Sequence, residues 1–398
     1  MSVFDTLVGQ PQVVQTLRHA VDAASQARHG GAGRGMTHAW LFTGPPGSGR
    51  SNAARAFAAA LQCHEGGCGH CDMCHTSLIG THPDVRIIST ELLSIGVDES
   101  RWLVTEASRR PSLGRWRVIA IEDADRLTPQ ANNALLKVLE EPPVHTVFLL
   151  CAPSTEDVLP TINSRVRHVT LVTPSTTAVA AHLVATLDVP PEMAAFAARA
   201  SQGHIGRAKG LALDEASRLR RAEVLRVPGS LNDIGAAFAA AQDLVDAATE
   251  DAEQRTGERD GAERVGLARA LGVENPNRVP HWASPQFKSL KEMQAKRAKR
   301  AVRDSLDRML LDLAAFYRDV LVVQVGAPVE LVNAELAPDI ERLARAAPPE
   351  ATLRRIEAIQ DARRRIGAVR DEQGQARSVA PLLAIEALVV SLWTGDQP

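Results

Sequence analysis

Leu41-Phe42-Thr43-Gly44-Pro45-Pro46-Gly47-Ser48-Gly49-Arg50-Ser51 is the stretch on which the reading of the whole chain turns. An apolar run from His38 to Thr43 leads into Gly44, and small residues at helical spacing follow from Ser51 to Gln62. That order is strand, glycine loop, helix. A phosphate-cradling P-loop has the form G-x-x-x-x-G-K-[ST]: backbone N–H groups surround the phosphates, a Lys reaches the β- and γ-phosphates, and a hydroxyl sits on Mg²⁺. Gly44, Gly49 and Ser51 match, Gly47 lies inside the loop, and Arg50 holds the Lys position. Arg keeps the charge but replaces a compact ammonium with a longer planar fork, which is not a conservative exchange at such a site. The spacing predicts a nucleotide-binding fold. ATP with Mg²⁺ at this loop is a doubtful cofactor, and hydrolysis there is expected to be weak or absent.

Working outward, 398 residues exceed one comfortable core, so two or three domains are expected. With 45% hydrophobic and 23% charged residues the composition is that of an ordinary globular protein. A formal net charge of −2 provides no global field for nucleic acid, so any such contact must be a local patch. Met1-Ser2-Val3-Phe4-Asp5 has neither a basic start nor an apolar signal core, and no run reaches the roughly 18 apolar residues of a membrane span. A cytoplasmic location is expected. In that reducing compartment five cysteines do not read as a disulfide framework.

Four of them follow the P-loop helix directly: Cys63, Cys68, Cys71 and Cys74, spaced C-x4-C-x2-C-x2-C. Four thiolates make a complete tetrahedral set for Zn²⁺ and leave no open position, so a structural zinc is expected. A plant-type iron–sulfur loop also begins C-x4-C-x2-C, but its fourth cysteine comes much later in the chain. Unligated thiols are the remaining alternative. His64, His70 and His75, interleaved with the cysteines, read as solvent-side residues of a tight knuckle.

Ahead of the loop, Phe4 to Val21 has helical spacing after Gly9-Gln10-Pro11, and a glycine-rich stretch spans residues 30–35. Beyond the knuckle, His82-Pro83-Asp84 starts a short β-like run, and a polar helix is expected from Val97 to Arg110. The apolar run Trp116 to Ile121 ends in Glu122-Asp123-Ala124-Asp125. Carboxylates at the C-terminal tip of a buried strand are where such folds hold Mg²⁺ and activate water, which makes Glu122 and Asp123 candidates; a solvated acidic loop is the alternative. Thr128-Pro129 starts a helix that Pro142-Pro143 ends, and Thr146 to Cys151 is a further strand whose Cys151 reads as a core thiol. The alternation argues a parallel, doubly wound sheet.

Phe4-Asp5-x-Leu7-Val8-Gly9-Gln10, the P-loop, the knuckle after its helix, His82-Pro83-Asp84, the run Asn133 to Pro143 and Asn163-Ser164-Arg165 together resemble the bacterial clamp-loader branch of the AAA+ ATPases, its δ′ type most of all. The resemblance covers roughly the first 210 residues. It implies an α/β P-loop domain (1–172) with an inserted zinc knuckle, a small helical lid (173–227) and an all-α collar (228–398). It also implies that Arg165 is an arginine finger for ATP held by the adjacent subunit, although the family's Ser-Arg-Cys is here Ser164-Arg165-Val166. Arg207, in Gly203-His204-Ile205-Gly206-Arg207, sits where the lid carries a sensor-2 Arg. Implied partners are γ/τ and δ subunits in a hetero-pentameric ring, the sliding clamp, and primer-template DNA through the assembled ring, as part of a DNA polymerase holoenzyme. Three departures argue against hydrolysis at the chain's own loop: Arg50 for Lys, Glu122-Asp123 for Asp-Glu, and no aligned sensor-1 side chain near Ala152-Pro153.

The C-terminal half shows helical stripes at Leu306, Met309, Leu310, Leu313, Tyr317, Val320 and Leu321, at Leu353, Ile356, Ile359, Ile366 and Val369, and from Val379 to Trp393. Between about 240 and 305 the charge is polarised. Acidic residues dominate from Asp243 to Arg264, whereas Lys288, Lys291, Lys296, Arg297, Lys299, Arg300 and Arg303 form a basic block opposed by Glu292. Solvated or mutually paired faces are the plainer reading and DNA phosphate the sharper one. Three functions follow: a largely non-hydrolysing δ′-like ring subunit, an ATP-hydrolysing motor of the γ/τ kind, or a freestanding zinc-containing DNA-binding protein.

Overall fold

The computed structural model describes residues 2–28, 35–89, 95–275, 278–367, 369–370, 376–377 and 379–394. The glycine-rich stretch falls, for 30–34, outside the described residues. The chain divides into two compact units, one ending at Leu213 and the other running from Asp214.

In the first unit, α1 (Pro11–Arg28), β1 (Ala39–Thr43), α2 (Arg50–Gln62), α3 (Asp72–Ile79), β2 (Val85–Ile88), α4 (Val97–Ala107), β3 (Arg117–Ile121), α5 (Pro129–Glu140), β4 (Thr146–Ala152), α6 (Pro160–Asn163) and β5 (Arg167–Thr170) follow one another. The five strands form one parallel sheet in the order β2-β3-β4-β1-β5. Parallel neighbours need crossovers, and crossover helices cover both sheet faces, so β1, β3 and β4 are buried along their whole length. The side-chain period of two sorts them. Trp40, Phe42, Val118, Ala120, Val147 and Leu149 face a core shared with Leu17 and Phe57 of α1 and α2. Ala39, Leu41, Ile119, Ile121, Phe148 and Leu150 face a second core shared with Leu103 and Leu135 of α4 and α5. Thr128 caps α5 by accepting from the Ala131 N–H, and Pro129 opens it as expected.

His82-Pro83-Asp84 is a brace. The fully buried Asp84 carboxylate accepts from the backbone N–H groups of Ser112 (2.7 Å), Leu113 (2.8 Å) and Gly114 (2.6 Å) and from the Ser112 hydroxyl (2.9 Å), with Arg117 at 3.7 Å. One carboxylate thus closes the loop that feeds β3.

Three further helices complete this unit, α7 (Thr176–Leu187), α8 (Pro191–Ser201) and α9 (Ile205–Leu213), around Val179, Leu183, Ala197 and Ala208. The helical stretch is broken at Asp214, whose carboxylate accepts from the N–H groups of Ala216 and Ser217 and starts α10 (Glu215–Ser230). Val224, Leu225 and Val227 of α10 pack with the C-terminal helices, so the units part at 213/214.

The second unit continues with α11 (Ile234–Leu271), α12 (Ser284–Val325), α13 (Ala337–Ala346), α14 (Pro349–Ile366), the two-residue strands β6 (Val369–Arg370) and β7 (Ala376–Arg377), and α15 (Pro381–Thr394). Leu306, Leu310, Leu313, Phe316 and Tyr317 form its centre. Val369, expected on a helical stripe, lies in β6, because α14 ends at Ile366 with Gly367 as its C-cap. A polar network runs through the bundle: Asp319 accepts from the Asn333 N–H (2.7 Å) and Nδ2 (2.9 Å), and Arg221 donates to Asp312 (3.0 Å) and Glu335 (3.1 Å). The polarised stretch is helical. α11 and α12 pack against each other, and Arg297, 7% exposed, bonds Asp260 (2.6 Å) and Glu263 (2.9 Å) across them. The Arg297 guanidinium holds the Glu263 carboxyl down to about 2. A small core of Ala268, Val273, Ala283 and Phe287 closes the far end.

Asp84→Ala strands three N–H groups, while Arg117 keeps its pair with Glu106, and is expected to cost about 3–5 kcal/mol in urea unfolding. Burial raises the Asp84 carboxyl, and the bonds from Gly114, Ser112 and Leu113 outweigh it and leave the group below its usual value. With a depressed folded pKa, the contribution is complete above the unfolded value of about 3.9 and is lost as pH falls through the folded one. The stability gap between the parent protein and Asp84→Ala should be full at pH 7 and close below about pH 4.

Candidate functional site

The P-loop leaves the C-terminal end of β1 with Gly44, Gly47 and Gly49 at φ of 149°, 83° and 96°. Gly47 has a second reason to lack a side chain: a Cβ there would lie 2.3 Å from the His204 ring at the start of α9. The Arg50 guanidinium turns back into the loop, and its Nη1 donates to the Gly44 carbonyl at 2.7 Å. Ser51 sits half-buried in the first turn of α2. The Gly44 N–H donates to the Pro153 carbonyl and the Ser48 N–H to that of Pro45, whereas the buried Ser48 hydroxyl has no partner among the described residues. Gln10 ties the loop to the segment just after β5, bonding the carbonyls of Ser48 (3.4 Å) and Val172 (2.6 Å).

Glu122 and Asp123 stand just past β3, as the sequence suggests. Glu122 is engaged by the protein itself: Arg55, on α2, donates to it through Nε at 2.6 Å and to the Leu78 carbonyl through Nη1. Asp123 lies 3.8 Å from Arg126, and burial pushes the neighbouring Asp125 carboxyl up. Arg55 is a residue that sequence reasoning missed, since one arginine in an alanine-rich helix has no motif of its own. His204 was inside a quoted motif but attracted no role.

Arg165 follows α6, 36% exposed at its side chain, and its Nη2 lies 2.7 Å from Glu140 at the end of α5. Its Nη1 donates to the Thr161 carbonyl (2.7 Å) and the Ser164 hydroxyl (3.0 Å). Arg207 is in the first turn of α9, where its N–H donates to His204 Nδ1 at 3.2 Å. Apart from the cysteines, the sequence-identified groups fall in two places in this unit: Gly44 to Ser51 with Glu122 and Asp123 at the ends of β1 and β3, near the start of the helix that carries Arg207, and Arg165 with Glu140 at the end of α5.

The four cysteines converge. Cys63 is the C-cap of α2 and Cys71 the N-cap of α3, and all four sulfurs lie within 4.8 Å of one another, a set that could hold a metal ion. Backbone N–H groups point at them: Glu65 and Cys68 donate to Cys63 Sγ (3.3 and 3.4 Å), Gly69 to Cys74 and Cys74 to Cys71 (3.4 Å each). Burial works against ionising Cys63, but the N–H groups of Cys68, Gly67 and Glu65 bring it down to about 7; burial pushes Cys74 up. Such N–H donors supply the outer shell that a thiolate site needs. His64 contacts Arg115 and His70 the Cys68 carbonyl, and a His70 ring nitrogen also lies within 4.8 Å of Cys68 Sγ and a Glu65 carboxylate oxygen, a second set that could hold a metal ion.

Residues 22–175 match the family described as DNA polymerase III, delta subunit. The δ′ subunit of Bacillus subtilis DNA polymerase III is 26% identical over 369 residues, 92% of this chain and 93% of that one. The Pseudomonas aeruginosa δ′ subunit is 40% identical over 134 residues, 32% of this chain and 41% of that one. The γ/τ subunit of Mycobacterium tuberculosis is 36% identical over 170 residues, 42% of this chain, and the match spans only 28% of that relative's length. These matches make the chain similar to the δ′ and γ/τ subunits of DNA polymerase III.

Proposed function

We propose that the chain is a largely non-hydrolysing member of a cytoplasmic clamp-loader ring, holding γ/τ and δ subunits as neighbours and helping to load the sliding clamp on primer-template DNA. The observation that carries this reading is the 2.7 Å bond from Arg50 to Gly44. A P-loop cation works by facing the β- and γ-phosphates. Here the cation faces the loop's own carbonyl, and Glu122 faces Arg55. These residues fit Mg²⁺-ATP poorly, and no step is assigned to it at this loop. The likeness extending over nine-tenths of a δ′ chain, against less than a third of a γ/τ chain, points the same way.

Arg165 then acts on a nucleotide bound by the adjacent subunit. Its ion pair with Glu140 is half-exposed on both sides and worth at most about 1 kcal/mol, so a neighbour's phosphate outcompetes it. Glu140 acts as a holder that keeps the guanidinium extended from the α5–α6 corner before the ring closes. The collar assignment of residues 228–398, and the lid from 173, belong to the same reading.

For the cysteine cluster we propose one structural Zn²⁺ on Cys63, Cys68, Cys71 and Cys74, since four thiolates with N–H support suit a closed tetrahedral site. Binding energy at such a site appears as folding energy. Elemental analysis should give one zinc per chain, and Cys71→Ser should lower the melting temperature by several degrees; a metal-free chain of unchanged stability would overturn the assignment.

Arg165→Ala should leave the fold and ring assembly intact, and should lower ATP turnover of the reconstituted ring only partly, because an arginine finger is worth about 10³ or more at the single site it serves. Clamp loading, which needs every site, should fall further. Arg50→Ala should alter both assays much less. Tight Mg²⁺-ATP binding by the isolated chain, with turnover abolished by Ser51→Ala, would favour the motor function instead.

A further inference from the structure

Of the 45 Lys and Arg residues only six are lysine: Lys137, Lys209, Lys288, Lys291, Lys296 and Lys299. Four of the six therefore fall within one twelve-residue stretch of α12. Residues 251–303 hold twelve Lys and Arg against seven Asp and Glu, a local charge of +5 in a chain of net −2.

Several arginines of the hairpin are held by carboxylates. Arg297 is buried against Asp260 and Glu263, Arg308 bonds Asp251 at 2.8 Å, and Arg300 pairs with Asp304 at 3.4 Å. Lys288, Lys291, Lys296 and Lys299 are all exposed, and none has an ion-pair partner among the described residues. At 100° per residue the four lie within about 140° of the helix circumference, on the side away from Arg297, along about 16 Å of axis. Glu292, exposed within this arc, is the one carboxylate from Ser284 to Arg303 of α12 and leaves the face net positive, and the exposed Met293 falls off the arc.

We propose that this lysine row is a binding site for the phosphate backbone of duplex DNA, without base recognition. Lysine is a compact, mobile point charge suited to phosphates spaced along a polyanion, whereas the arginine fork that could read a base edge is here engaged by carboxylates in the case of Arg297. A protein partner is the poorer match: lysine is depleted from protein–protein interfaces, and the arc offers no aromatic or aliphatic anchor. Duplex DNA offers one charge per about 1.7 Å and releases counterions on contact. The site is separate from the ring reading, since it needs neither Arg165 nor a neighbouring subunit.

The scarcity of lysine gives a direct readout. The purified full chain is treated with an amine-reactive reagent with and without an unrelated-sequence duplex, and each lysine is followed by mass spectrometry. Lys288, Lys291, Lys296 and Lys299 should be protected several-fold, while the exposed Lys137 is not. Binding of a labelled duplex should show a log–log salt slope of about −3 to −4, a roughly hundred-fold loss between 50 and 200 mM salt, for two unrelated sequences alike. In the variant K288Q/K291Q/K296Q/K299Q, with circular dichroism unchanged, that slope should collapse toward zero. Equal reactivity of all six lysines with DNA present, or a slope that the variant keeps, would overturn the proposal. Polyglutamate of equal charge protecting the row as fully as DNA would overturn it in favour of an acidic protein partner.

Discussion

Two-sided burial of the central sheet is the constraint on which the first unit depends. A parallel sheet cannot leave a face to water, because its crossovers lay helices on both sides. Every residue of β1 is consequently buried, and Trp40 and Phe42 must serve one core while Ala39 and Leu41 serve the other. The alanine run of α2 follows from this, since small side chains bring the helix close to the sheet face that Trp40 and Phe57 fill at 5.1 Å between ring centroids. Once β1 and α2 are fixed by that packing, the glycine loop between them has little freedom, and the glycines at Gly44 and Gly47 adopt backbone angles other residues would resist.

The same architecture admits more than one chemistry at the loop. In this chain two charged groups at the loop are paired within the protein. Arg50 is satisfied by Gly44 and Glu122 by Arg55. Each bond substitutes a protein contact for a ligand contact, and together they let the loop hold its shape as a structural corner next to His204.

Much of this was legible in the sequence because it rests on local, periodic or motif-bound signals. The strand–loop–helix run, the cap at Thr128 and the C-x4-C-x2-C-x2-C spacing are of that kind. What escaped depends on pairs distant in the chain. Arg55 meets Glu122 across 67 positions, and Asp84 gathers N–H groups about thirty residues away. The break at Asp214 was hidden by continuous helical spacing on both sides, and only the capping carboxylate marks it. Arg297 looked like one of a basic block, but its place 100° or more around the helix from each lysine puts it against α11.

The hairpin of α11 and α12 bears on how this chain can vary in length. The bundle core of the second unit takes Ala237 to Ala248 from α11 and Leu306 to Val320 from α12, while the far end has its own small cluster around Phe287. Two antiparallel helices enter and leave a bundle side by side, so whole turns can be added to or removed from both arms together without moving any residue of that core. The reach of the arm is thus a free dimension of the molecule, adjustable by insertion or deletion while the body that carries it stays constant.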